Sequence, residues 1–237
     1  MLLQKVALKA IAVFVLFLSY YIFYKIFQQI IVEARNEFFK LFSNNTNYSD
    51  DKTVIDIGST PSLDKEQNIF LDNVKNNQNV TCLSNQDCKI LQKKYKNIKN
   101  ILIGDGCYTN LEDNSFDIVH SNATIEHVGS FDNQLSFVKE LVRISKESVF
   151  LQTPNRFHPI DFHTILPFIH WLPKNIHRKI LKNFNFDFYS KEENLNLLSK
   201  SDFIELARDE NIKYEFKYIK LLGFRSNLIF IGKKINS

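Results

Sequence analysis

Thr53-Val54-Ile55-Asp56-Ile57-Gly58, running into Ser59-Thr60-Pro61, decides the fold. Apolar, mostly β-branched residues fill its first half, and a glycine and a proline stop it, which predicts a buried strand ending in a tight turn. The acid stands just before the turn, where it can orient the turn or hold a cationic group of a ligand. Gly58 lets the backbone approach that ligand closely. Working outward, NVTCLS (79–84), NIKNILIG (97–104), SFDIVHS (115–121) and ESVFLQTP (147–154) read as four further strands, the last stopped by Pro154. Helical stretches are predicted between them at about 63–76, 86–96 and 131–145. In the last of these Phe131, Leu135, Val138, Leu141 and Val142 recur at helical spacing. Strands alternating with helices predict a parallel α/β sheet that binds ligands at the strands' C-terminal ends. From 155 to 190 the rhythm breaks into an aromatic insertion bearing His and Pro. A helix over about 190–210 and two strands, 212–223 and 225–234, follow, the strands as an antiparallel hairpin edge.

Three motifs carry chemistry. Asp56-Ile57-Gly58-Ser59 is the first, and without a G-x-G-x-x-G it disfavours a dinucleotide site. The second is Gly104-Asp105-Gly106 after the third strand, an acid between glycines placed to accept from an adenine amino group. The third is Leu111-Glu112-Asp113-Asn114-Ser115-Phe116-Asp117-Ile118-Val119-His120-Ser121, followed by Glu126-His127-Val128. With Glu140-Leu141-Val142-Arg143-Ile144 and Leu151-Gln152-Thr153-Pro154-Asn155-Arg156, this ordered set resembles the class I S-adenosylmethionine-dependent methyltransferases, the type 11 group in particular, over about residues 53–235.

The resemblance implies a Rossmann-like class I methyltransferase fold. Its sheet is seven-stranded and mostly parallel, with helices on both faces and an antiparallel last strand. It implies S-adenosyl-L-methionine as cofactor. Asp56, Gly58, Ser59 and Thr60 would line its methionine part, Asp105 would meet the adenine, and Gly106 and Cys107 would lie beside the ring. Ser121 and Asn122 would run along the sulfonium side. This chain departs from the family in having Thr60-Pro61 where a second glycine is usual, and Ser84-Asn85-Gln86 where a ribose-binding acid is expected, with Asp87 a few residues late. Those departures keep a second reading open, a non-catalytic membrane-bound binding or assembly module on the same fold.

All six histidines fall between 120 and 177. The insertion over 155–190 would overhang the methyl-donating end of the cofactor as a substrate-side lid. A histidine there can take an acceptor's proton near neutral pH, and His127, His158 and His163 are the candidate general bases. No metal is assigned. A divalent site from Glu126-His127 with His158, Asp161 or His163 stays open, although relatives that bind metal through E-x-x-E-H carry an acid where Ala123 stands here.

Residues 10–24, AIAVFVLFLSYYIFY, are uncharged, with Lys5 and Lys9 before them, Lys25 after them and Tyr20, Tyr21 and Tyr24 at one end. They read as a membrane anchor, or as a cleaved signal peptide or a soluble capping helix. The predicted organisation is an anchor helix and stalk over 1–42, a linker over 43–52 and a methyltransferase domain over 53–237. Residues 1–42 hold five Lys/Arg against two Glu, which leaves the rest of the +4 chain at net +1. Such a domain has no electrostatic case as a nucleic-acid binder. The expected partners are a small-molecule or lipid acceptor and the membrane, with the catalytic domain on the cytoplasmic side, where the cofactor is made. Three cysteines without a C-x-x-C pair read as reduced thiols.

Overall fold

A computed structural model describes residues 33, 34, 36–64, 67–74, 78–208 and 210–235 of the 237-residue chain. The apolar stretch at 10–24 lies outside them, as does part of the helix expected over 63–76. No helix among the described residues is long and apolar enough to cross a membrane. The chain divides into two compact units after Phe38. Of the first, the described residues are helical.

The second unit, Phe39–Ser237, opens in helix over 39–46 (α1). α1 ends as Thr46 and Asn45 turn their side chains back onto the carbonyls of Phe42 and Leu41, and Asn47 takes a left-handed φ of 54°. Part of the stretch expected as linker is therefore helix, and Tyr48 beyond it packs on Phe39 and Phe42. The strands follow the sequence closely: β1 (Val54–Ile57), β2 (Val80–Ser84), β3 (Asn100–Ile103), β4 (Phe116–Asn122), β5 (Ser145–Pro154), β6 (Ile212–Leu221) and β7 (Phe224–Lys234). They form one seven-stranded sheet in the order β3-β2-β1-β4-β5-β7-β6. β1 to β5 pair in parallel, and β7 runs antiparallel to both β5 and β6. The order reverses at β1, so the loops after β1 and β4 diverge there and leave a crevice at the strands' C-terminal ends.

Strand alternation assigns the two faces. Ile55, Ile57, Val119, Val149 and Leu151 pack with Phe137 and Leu141 of α3 (Phe131–Ile144) and Phe203 of α5 (Lys200–Leu206). α3 begins where Ser130 accepts from the Asn133 amide, and α5 begins with a capping box between Ser199 and Asp202. On the opposite face Phe42 of α1 meets Phe70 of α2 (Ile69–Asn73), His120 and Phe150 with ring centroids 5.0–5.5 Å apart. The helix expected over 86–96 is realised as a short 3-10 turn, Lys89–Lys93, whose one buried residue is Leu91.

The insertion after β5 carries a 3-10 turn (Ile169–Trp171) and α4 (Lys174–Asn183). It is held by its own polar core. His170 Nε2 and Trp171 Nε1 both bond to the His158 carbonyl, Arg156 donates to the carbonyls of His170 and Leu172, and Lys174 donates to Asn196 Oδ1. His177 is buried beside His170, Arg156 and Arg178, with Asp161 as the opposing charge. Burial, then the neighbouring cations, pull its pKa down to about 4.

Two outcomes follow from this packing. Phe42 is fully buried, so Phe42→Ala is expected to cost about 3–5 kcal/mol in urea-induced unfolding. His177 is neutral when folded and protonates more readily when unfolded, so its contribution is complete above the ordinary histidine pKa and is lost as pH falls toward about 4. Trp171, the single tryptophan, should report that loss as a fluorescence change between about pH 6.5 and 4, and His177→Phe should flatten the transition.

Candidate active site

Gly58 has a φ of 95°, which a side chain rarely adopts, and an added Cβ would lie 1.9 Å from Thr124 Oγ1. Gly106 is needed for space, since a Cβ there would press on Phe137 and Ile57 at 2.6 and 2.9 Å. Both glycines are therefore required by the packing of the turns themselves. Gly104 is less constrained, its nearest neighbour being Leu83 at 3.7 Å.

Together these turns enclose a cleft of about 620 Å³ at the C-terminal ends of β1, β2 and β3 and the loop after β4. Of the residues singled out in the sequence, Gly58, Ser59, Thr60, Asp105, Gly106, Cys107 and His127 line it. Ile103 and Tyr108 stand on its walls 62% and 68% exposed, two large apolar surfaces that suit a flat aromatic ligand. Asp105 brings a carboxylate whose Oδ1 already accepts from the Cys107 amide at 2.8 Å. Cys107 itself is buried, and that burial, with the Asp105 charge, raises its thiol to about 12. All three cysteines are free and buried. At the end of β2, Ser84, Asn85 and Gln86 line the cleft. They offer neutral donors and acceptors where an acid was expected, while Asp87 reaches Lys89 at 3.7 Å.

The other sequence candidates stand elsewhere. Asp56 is buried under the turn: Oδ1 is 2.6 Å from His120 Nδ1, and Oδ2 accepts from Ser59 Oγ at 2.8 Å. Its carboxylate orients the turn. Ser121 is fully buried and donates to the Ile57 carbonyl, and the cleft wall past β4 is formed by Ala123 and Thr124. Asn122 keeps a buried Oδ1 without a protein partner. Ala123 sits at φ 50°, a left-handed conformation beside the cleft. His158 lies within the insertion, its Nδ1 on the Ile160 carbonyl at 2.8 Å and its ring stacked on Phe162. His163 meets His127 ring to ring at 5.1 Å, so the structure brings these two of the three candidate histidines together. Glu126, one residue before His127, is fully buried and belongs to the same group.

Two further motif residues act as braces. Asp117 accepts from the Thr53 amide and hydroxyl at 2.9 and 2.8 Å, which ties the start of β4 to the start of β1. Burial alone would raise its pKa, and these bonds with Lys146 and Lys52 bring it below the usual range. Glu140 accepts from the Thr109 amide and from Arg143, and Arg143 reaches Asp113 at 2.5 Å. The E-x-x-R pair thus pins the loop that follows β3 onto α3.

Residues 68–151 match a family model described as a methyltransferase domain. No curated protein matches the chain. Among solved structures, a SAM-dependent methyltransferase of Methanosarcina mazei shares 13% identity and a TM-score of 0.53, over 83% of this chain and 98% of that one. Magnesium protoporphyrin IX methyltransferase of Synechocystis, solved with SAH, shares 10% and 0.52 over 86% and 82%. The 1,6-didemethyltoxoflavin-N1-methyltransferase of Burkholderia thailandensis, solved with bound 1,6-didemethyltoxoflavin and S-adenosylhomocysteine, shares 10% and 0.56 over 86% and 79%. At such identities the structural likeness speaks for the fold. The matched segment contributes β2 to β4, α3 and most of β5, so over these residues the chain is similar to a methyltransferase domain, and the sheet order and the cleft agree with that fold.

Proposed function

We propose that the chain methylates an O, N or C nucleophile of a small or lipid-like acceptor presented at the cytoplasmic face of a membrane. The observation that carries this reading is the outer surface of the insertion. Ile165, Phe184 and Phe188 are 69%, 62% and 61% exposed, with Phe157, Phe168 and Trp171 also open, and Lys179 and Lys182 of α4 are exposed in the same segment. Exposed aromatic and aliphatic side chains beside lysines are the composition of a segment lying in a lipid headgroup region. The uncharged stretch at 10–24 supports the same reading by sequence. Two of the structural neighbours are named for small-molecule acceptors, which supports an acceptor of that size.

When bound, S-adenosylmethionine supplies an electrophilic methyl on a sulfonium. The chain's part is alignment and exclusion of water, because displacement at that carbon needs an in-line nucleophile. In this reading Asp105 takes the adenine amino group, Ile103 and Tyr108 hold the ring, and Asn85 or Gln86 meets the ribose hydroxyls. The acceptor enters past His127, under the insertion.

Incubating the full chain with methyl-labelled cofactor and a lipid and metabolite extract should move label into an organic-soluble product. Label that stays on the cofactor with every fraction would overturn the reading. By calorimetry Asp105→Ala should weaken cofactor binding by roughly 10–100-fold, the worth of a hydrogen bond to a charged group. His158→Ala should leave it near the wild-type value. Loss of binding in His158→Ala instead would move the cofactor out of this cleft.

A further inference from the structure

Glu126, His127 and His163 each present one possible ligand atom, and these atoms all lie within 4.8 Å of one another. Each side chain is oriented by a partner on its other polar atom. Glu126 Oε2 accepts from Thr153 Oγ1 at 2.8 Å, and Oε1 is buried with no hydrogen-bond partner in the protein, 3.9 Å from His127 Nε2. His127 Nδ1 is 2.6 Å from the Asn194 carbonyl, which fixes the tautomer with the proton on Nδ1 and the lone pair on Nε2. His163 Nδ1 is 3.2 Å from Asp161 Oδ1. Asp161 is itself buried, and hydrogen bonds from the His163 amide and Thr164 Oγ1 keep it a carboxylate. That leaves Nε2 as the open nitrogen on both rings.

This is the outer shell that metal-binding histidines require: a carbonyl behind one ring, a carboxylate behind the other, and a hydroxyl on the carboxylate ligand. The backbone is fixed as well, since the Asn196 amide donates to the Glu126 carbonyl at 2.7 Å, and Gln134 bonds the carbonyls of Ile125 and Asn196. We propose that Glu126, His127 and His163 bind a divalent transition ion of the zinc type at the edge of the cofactor cleft. Two imidazoles and one carboxylate are a three-ligand set that leaves a position open for a further oxygen or nitrogen. Ligands about 2.0–2.2 Å from such an ion lie roughly 3.4 Å apart in tetrahedral geometry. Small rotations of the partly exposed histidine rings close that difference.

His127 lines the cleft, so an acceptor entering past it would come within reach of the ion. There the ion would lower the pKa of a hydroxyl bound to it, and the proton would leave to water. His127 Nε2 is then a ligand and no longer a proton acceptor. This role rests on the methyltransferase reading, whereas the binding site does not.

The test titrates the full chain, without cofactor or acceptor, with Co(II) followed by visible absorption and with Zn(II) by calorimetry. The expected result is saturable binding of one ion, with cobalt bands that lack a thiolate charge-transfer component. His163→Asn and Glu126→Gln should each abolish the saturable signal. Asp161→Asn should keep the ligand set and weaken binding by roughly 10–100-fold, the cost of losing an orienting partner. Circular dichroism controls for folding, and should Glu126→Gln not fold, His163→Asn decides alone. No saturable binding up to millimolar ion, a thiolate band, or unchanged affinity in His163→Asn would overturn the site. None of these readouts involves methyl transfer, so a failure of that reading would leave them where they are.

Discussion

The bond between Asp56 and His120 holds the site together. The two residues are register partners on adjacent parallel strands, and the bond is 2.6 Å long. Around the imidazole stand Phe70, stacked at 4.1 Å, Phe150 at 6.0 Å and Phe42 edge-on at 5.5 Å. Such an apolar box strengthens the hydrogen bond and makes its loss expensive, since neither partner finds water there. The second carboxylate oxygen takes the Ser59 hydroxyl, so the same acid that joins β1 to β4 also sets the direction of the turn over 58–60. α1 supplies Phe42 to that box, which ties a segment preceding the first strand to the geometry of the cleft.

Residues that carry the family resemblance in sequence thus do much of their work inside the protein. Asp117 closes the start of the β1–β4 pair on Thr53, and Asp56 closes its far end on His120 and Ser59. Glu140 and Arg143 secure the loop after β3, and Thr153 of the Thr-Pro-Asn stretch secures Glu126. A cleft made of backbone turns has few side chains of its own to fix its shape, so acids and hydroxyls one layer behind must do it. Their spacing is regular in sequence because the strand ends they brace are regular in space.

That layering explains what was legible in the sequence. The strands were readable because buried parallel strands leave unbroken apolar runs, and the boundaries of β1, β2 and β4 agree within about two residues. The helices between β1 and β3 were overdrawn. Over 86–96 the sequence buries a single leucine within the 3-10 turn, too little apolar face to hold a longer helix. The three glycines that mark the turns in sequence all line the cleft, but Gly58 and Gly106 are needed for contacts with Thr124 and Phe137 that no local pattern reveals. Ile103 and Tyr108 carry no signal in sequence because exposed apolar residues are common, and only the fold shows which of them line the cleft.

The histidines show most clearly why spacing alone could not rank them. His120 belongs to the core pair, His158 and His170 to the hydrogen bonds that shape the insertion, and His177 is buried against it. Each is fixed by groups distant in sequence or by backbone carbonyls, which leave no trace in residue type. His127 and His163 are 36 positions apart in the numbering; they meet where Asn194 and Asn196, just beyond the insertion, strap the loop after β4, and where Tyr189 packs on His163. The insertion therefore reaches the loop after β4. It carries His163, with Asp161 behind it, to a place that β4 and β5 have already prepared with a buried carboxylate. A protein that needed only a hydrophobic cover there would have no physical reason to keep Glu126 buried with an oxygen left open.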